Sequence, residues 1–213
     1  MPSSLHYHIA DVLSIVGGLQ PASFLDVGCG FGRWGFLARE QLDVAHERYA
    51  RESWKTRIDA VEVFEPYICS YHRYLYDNIY IGRIEELLPT LGAYDVILAG
   101  EILEHIEKAA SLATLAQLRE KARKALIVSV PLGHDWPQGE VLDNPAEAHV
   151  STWTVEELKR LGARRILKYR HGKKRMYAVA VWFKPEFAPP PFPVRVVRAV
   201  RWRVEAALKA TRA

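Results

Sequence analysis

Four side chains in the middle and later part of the sequence have the types and spacing for chemistry: Glu101, Glu104 and His105 in "GEILEH", and His149 in "AEAHVSTW". If a helix starts near Glu101, the first three stand at i, i+3 and i+4, side by side on one face. Two carboxylates and an imidazole so placed can hold a divalent cation, with His149 as a fourth ligand. The mixed oxygen and nitrogen set suits Mg, Mn, Fe or Zn and does not choose among them. Such an ion can lower the pKa of a hydroxyl bound to it. Without an ion, His149 or His105 is suited to be a general base, since imidazole titrates near neutral pH. A third reading also stays open, in which the histidine packs locally and the glutamate caps a helix.

A second group lies near the N-terminus, in "FLDVGCGFGRWG" from Phe24 to Gly35. It contains a literal G-x-G-x-x-G from Gly30 to Gly35, the spelling of a dinucleotide-phosphate loop. A phosphate loop works by presenting backbone N–H groups and a helix N-terminus to an anion. Asp26 opposes that use, because a carboxylate repels phosphate and attracts an ammonium or sulfonium. The stretch reads more naturally as D-V-G-C-G-x-G, built for a cationic ligand.

These groups must be carried by a scaffold, and apolar runs alternating with helix-period segments predict βαβ units around a parallel sheet. The predicted strands are Ser23–Val27, Arg57–Val63, Asn78–Ile81, Tyr94–Ala99 and Ala125–Val130, with Pro131 stopping the fifth. Helices are expected at Leu5–Val16, Arg33–Val44, Tyr67–Asp77, Ile84–Leu88 and Ala109–Arg123. The aromatic residues of "YHRYLYDNIY" are read as core facing. The loop "LGHDWPQGEVLDNPAEAH", Leu132 to His149, is long for a compact domain, which marks it as functional or disordered; Trp136 within it and Trp153 beyond it are candidates to wall a substrate pocket, Trp153 equally for packing. A short helix follows with Thr154 as N-cap, Glu157 at the capping-box position and Gly162 at its end. Two last runs flanking "HGKK" predict a hairpin at the sheet edge, its basic tip solvated.

On these residues the chain resembles the class I S-adenosylmethionine (SAM) dependent methyltransferases. "FLDVGCGFGRWG" looks like their first motif, "IDAVEVFEP" like the second, "IYIGRIEELLP" like the adenine-contacting turn and "YDVILAGEILEHI" like the strand bordering the reacting methyl. The resemblance implies a doubly wound α/β fold, Rossmann-like, with a mostly parallel seven-stranded sheet and an antiparallel edge hairpin. It implies SAM as cofactor, held by Asp26, Gly28, Cys29, Gly30, Glu62, Val63, Arg83, Ile84 and Gly100, with Glu62 on the ribose hydroxyls. Arg83 departs from the family, which commonly has an aspartate there. The E-x-x-E-H of Glu101, Glu104 and His105, with His149 later, resembles the metal-binding set of small-RNA 2′-O-methyltransferases and a segment of ubiquinone-pathway O-methyltransferases.

At 213 residues the chain fits one domain with a full core. Cys29 and Cys69 form neither a disulfide framework nor a C-x-x-C pair, in keeping with a cytosolic protein. No apolar run approaches the roughly 18 to 20 residues of a membrane span. Of 29 Lys and Arg against 25 Asp and Glu, six and two respectively fall after Lys184, so the excess positive charge is all in the tail. The methyltransferase domain is therefore set at 1–184 and a separate element at 185–213. That element is a proline-rich linker leading to a basic amphipathic helix with Val197, Val200, Val204, Ala207 and Leu208 on one face. Membrane surface, its own domain, a second subunit and nucleic acid are the partners open to it, the last least favoured because the charge is sparse. The expected activity is O-methylation of a small hydroxylated substrate, a sugar, glycan precursor or catechol-like metabolite. An RNA 2′-O-methyltransferase and a non-catalytic SAM-binding module are the rivals.

Overall fold

The computed structural model describes residues 5–189 apart from 135 and 142, and the expected tail helix lies outside them. Seven strands form one sheet: β1 Ser23–Val27, β2 Arg57–Glu62, β3 Asn78–Ile81, β4 Tyr94–Gly100, β5 Ala122–Leu132, β6 Arg165–His171 and β7 Arg175–Phe183. Their order is β3-β2-β1-β4-β5-β7-β6. β1 through β5 pair in parallel, and β7 runs antiparallel between β5 and β6. This is the doubly wound sheet with an antiparallel hairpin that the sequence predicts.

Helices cover both faces, so the central strands are buried on both sides and read as continuous apolar runs. α1 Ile9–Leu19, α2 Arg33–Leu42 and α3 Ser70–Leu75 lie on one face, where Val12, Ile15, Trp34, Ala38 and Leu75 pack against Phe24, Val96 and Leu98. α4 Ile84–Leu87, α5 Lys108–Lys121 and α6 Val155–Arg160 lie on the other, where Leu88, Leu115, Leu118 and Leu158 pack against Leu25, Val27, Ile97 and Ala99. The division follows the period of two along each strand. The edge strand β6 exposes Lys168 and Arg170, charges that discourage edge-to-edge pairing.

Several boundaries differ from expectation for physical reasons. β5 does not stop at Pro131: it continues to Leu132, with Pro131 opposite Tyr177. The β4 partner has ended at Gly100, opposite Ser129. Pro131 therefore occupies a locally edge-like position, where a missing N–H is tolerated. α3 is shorter than Tyr67–Asp77 because Glu65–Tyr67 forms a separate 3-10 turn ahead of it. α1 starts later and runs further than expected, following a 3-10 turn at His6–His8. The Thr154 and Glu157 capping box is formed, the hydroxyl accepting from the Glu157 N–H at 3.2 Å. In "YHRYLYDNIY" His72 and Tyr76 are buried, whereas Tyr74 is 52% exposed and faces solvent. Pro185–Phe187, the start of the expected proline-rich linker, is a 3-10 turn.

Candidate active site

The carboxyl ends of β1, β2 and β4 open into a cavity of about 350 Å³, within the size range of small-molecule sites. Gly28, Cys29, Gly30, Glu62, Val63, Arg83, Ile84 and Gly100 line one part of it. Glu101, Glu104, His105 and His149 line another. A parallel sheet gathers its strand ends at one edge, which is how residues far apart in sequence meet here.

The glycine loop is built tightly. Gly28 has φ of +72°, where any other residue is strained, and a Cβ there would lie 1.9 Å from Ile102 Cδ1 and force that side chain to move. Glu62, 4% exposed, ties the loop down: its Oε2 accepts from Gly30 N at 2.8 Å and its Oε1 from Phe64 N at 3.0 Å. Cys29 is buried, burial pushes its thiol pKa up, and the protonated thiol donates to Glu62 Oε2 at 3.9 Å. Arg83 pairs with Glu85 at 3.9 Å, which places a carboxylate on the cavity wall two residues beyond the position the resemblance singles out.

Asp26 is not among the cavity-lining residues. It is fully buried behind the loop, on the α2 side of β1, where Oδ2 accepts from Tyr76 Oη at 2.6 Å and Gly35 N at 3.1 Å. Oδ1 has no partner. Burial pushes the Asp26 carboxyl up to about 7, opposed by the bonds from Tyr76 and Gly35. A cationic ligand in the cavity favours the ionised form, so below pH 7 binding must expel a proton. Cofactor affinity is expected to fall on acidification from pH 8 to pH 6, by at most about tenfold per unit. Calorimetric titrations at the two values, with Asp26→Asn as control, check this; equal slopes in both proteins would contradict it.

At the reacting end the structure corrects the local geometry. No helix starts near Glu101; its φ is +57°, and a 3-10 turn spans Leu103–His105. A left-handed residue other than glycine at a strand end is strained, and such strain gathers at functional sites. Glu101 Oε1 accepts from Leu5 N at 3.4 Å. Ligand atoms of Glu104, His105 and His149 lie within 4.8 Å of one another, and Glu101 stands outside that group. His149 is brought in by the backbone: Val150 N and Ser151 N donate to Glu104 O at 2.9 and 3.0 Å.

The two imidazoles are held in a defined tautomer. A carbonyl only accepts, so His149 Nδ1–H donates to Trp136 O at 2.7 Å and His105 Nδ1–H to Ala148 O at 3.2 Å. Each Nε2 is left with its lone pair. Burial lowers both histidines from the ordinary imidazole value, His149 additionally through the neighbouring His105. Glu104 is 1% exposed, and burial reinforced by the Glu101 charge holds its carboxyl well above the usual range, with Oε2 unpartnered.

Trp136 lines the cavity with its indole N–H bound to Met176 O at 2.9 Å, whereas Trp153 is wholly buried in the core. Sequence reasoning missed Leu5, Trp34, Glu147 and Tyr177, which also line it. Only Glu147 carried a signal, as an acid two residues before His149.

The family described as "Methyltransferase domain" matches residues 4–171. Among curated proteins, none matches. Solved structures share the fold: TehB from Haemophilus influenzae, at a TM-score of 0.58 and 14% identity, covers 86% of this chain, which spans 63% of that one. The N-terminal domain of EvdMO1 in the presence of SAH and D-fucose has a TM-score of 0.57 and 16% identity, covering 85% of this chain and 84% of its own. The 1,6-didemethyltoxoflavin-N1-methyltransferase of Burkholderia thailandensis, with bound 1,6-didemethyltoxoflavin and S-adenosylhomocysteine (SAH), gives 0.58 and 20%, covering 84% and 78%.

Proposed function

Since the chain belongs to the methyltransferase-domain family, we infer that this SAM-dependent methyltransferase O-methylates a small hydroxylated acceptor, a sugar or catechol-like molecule. The observation that carries the reading is the group of Glu104, His105 and His149 at the reacting end of the cavity, with both Nε2 lone pairs uncommitted. A hydroxyl must lose its proton as its oxygen takes the methyl group. Oxygen bonds to the methyl carbon, the carbon–sulfur bond breaks, and the hydroxyl proton passes to His149 Nε2. That imidazole is neutral at pH 7 and its orientation is fixed by Trp136 O, so proton acceptance needs no reorganisation. The glycine loop and Glu62 hold the cofactor, and Glu85 offers a carboxylate to its adenine amino group.

A second reading is favoured by one observation: Glu104 Oε2 is buried without a partner, a costly arrangement. Glu104, His105 and His149 fit a divalent cation, offering one carboxylate and two unprotonated nitrogens. Bound there, the cation would lower the pKa of the acceptor hydroxyl.

Wild-type protein incubated with SAM and a panel of catechols and monosaccharides is expected to release SAH and yield an O-methyl product. Transfer confined to nitrogen acceptors would reject the reading, and a steep fall of acceptor affinity with salt would turn it toward RNA. Chelation separates the two mechanisms. Under the cation reading EDTA abolishes turnover and Mn²⁺ alone binds the wild type but not His105→Ala; undiminished turnover in EDTA leaves His149 as the base.

A further inference from the structure

Helix α3 takes no part in lining the cavity, yet it supplies side-chain donors to the glycine loop beneath it. Tyr71 Oη donates to Phe31 O at 3.2 Å, and Tyr76, just past the helix, donates to Asp26 Oδ2 at 2.6 Å. Between them lies His72, fully buried and stacked on Tyr71 with ring centroids 4.2 Å apart. Its Nδ1 lies 3.1 Å from Cys69 N, a donor, so Nδ1 must be the accepting nitrogen. The proton is then on Nε2, which donates to Gly30 O at 3.0 Å. Burial holds the imidazole below its ordinary pKa and keeps it neutral, as this arrangement requires.

We propose that His72 is a positioning residue for the cofactor loop, fixing the Gly30 carbonyl while Glu62 fixes the Gly30 N–H. Gly28, Gly30 and Gly32 all have positive φ, at 72°, 49° and 78°. A run of such residues has many alternative conformations when untied, and ordering it on ligand binding weakens affinity. His72 also packs closely: a Cβ on Gly32 would lie 3.0 Å from His72 Cδ2. The same is true of its neighbour, since a Cβ on Gly35 would lie 2.2 Å from Tyr76 Cζ. The helix and the loop are therefore fitted to each other. The third glycine of the literal G-x-G-x-x-G serves this contact and not a pyrophosphate. The inference rests on the reading of the cavity as a SAM site.

Two substitutions separate the roles of the two ring nitrogens. His72→Asn keeps an acceptor near Nδ1 for the Cys69 N–H but cannot reach Gly30. His72→Gln places an amide N–H at the reach of Nε2. Titration calorimetry with SAH is expected to give about tenfold weaker binding for His72→Asn and affinity within threefold of wild type for His72→Gln. Equal SAH affinity in wild type and His72→Asn would overturn the inference. So would equal weakening in both variants with matching losses of melting temperature, the pattern of a purely structural cap. Wild-type protein that binds no SAH at all would instead overturn the cofactor reading, and this inference with it. Should His72→Asn fail to fold, the ¹⁵N spectrum of wild-type His72 decides: the Nε2–H tautomer is expected, and the Nδ1–H tautomer overturns the proposal.

Discussion

Glu62→Ala is expected to weaken SAM binding by about a hundredfold or more, the largest effect of any cofactor-side substitution. Glu62 lines the cavity at the end of β2 while already accepting from Gly30 N and Phe64 N. A carboxylate has about four lone-pair positions; one of the remaining two takes only the weak Cys29 thiol donor at 3.9 Å, which a ribose hydroxyl can displace, so both are open to the ribose hydroxyls of the cofactor. Hydrogen bonds to a charged group contribute about 1.5–3 kcal/mol each. Losing two costs about 3 kcal/mol at least, which is a factor above one hundred in affinity. Removal of the carboxylate also leaves the Gly30 and Phe64 N–H groups without their acceptor, so the loop loses its tether. Glu62→Gln is expected to recover only part of the loss, because its amide nitrogen must face one of those two donors. Calorimetric titration of SAM into the three proteins tests this, and an affinity for Glu62→Ala within threefold of wild type would remove Glu62 from the cofactor site.

The scaffold was legible because its signals are local. β1 and β3 have the bounds predicted from short apolar runs, and α6 starts where Thr154 and Glu157 cap it. The end of β4 was not legible in the same way. Glu101, Glu104 and His105 have helical spacing, but Glu101 takes a left-handed conformation as the chain leaves the sheet, and only a 3-10 turn follows. A sequence pattern assumes continuous backbone geometry, and one residue of positive φ breaks it. Asp26 shows the opposite case, where a simple rule held the answer. Phe24 and Asp26 are two apart on β1, so they share a face, and Phe24 belongs to the core beneath α2. Asp26 therefore lies beneath the loop and is not one of the residues lining the cavity. Leu5 and Tyr177 come from opposite ends of the described chain and carry no motif, so only the folded sheet could bring them to the cavity.

His149→Ala is expected to lower turnover about a thousandfold while leaving SAM affinity within threefold of wild type. Positioned general acid–base groups contribute about 10²–10⁴ in rate, and His149 has the features of one: a neutral ring, a fixed tautomer and a place beside Glu104 and His105. The segment carrying it is anchored independently, through Val150 N and Ser151 N on Glu104 O and Ser151 Oγ on Leu103 O. Truncating the side chain therefore leaves the loop in place, and the loss reports chemistry. Added imidazole sharpens the test. A diffusing base can take a hydroxyl proton, so partial rescue of His149→Ala by imidazole supports proton acceptance by His149. If a cation is what His149 serves, rescue follows added metal, and activity stays sensitive to EDTA. Turnover within threefold of wild type in His149→Ala would contradict both mechanisms and move the reacting group to Glu101, the remaining predicted catalytic side chain on the cavity wall besides His105.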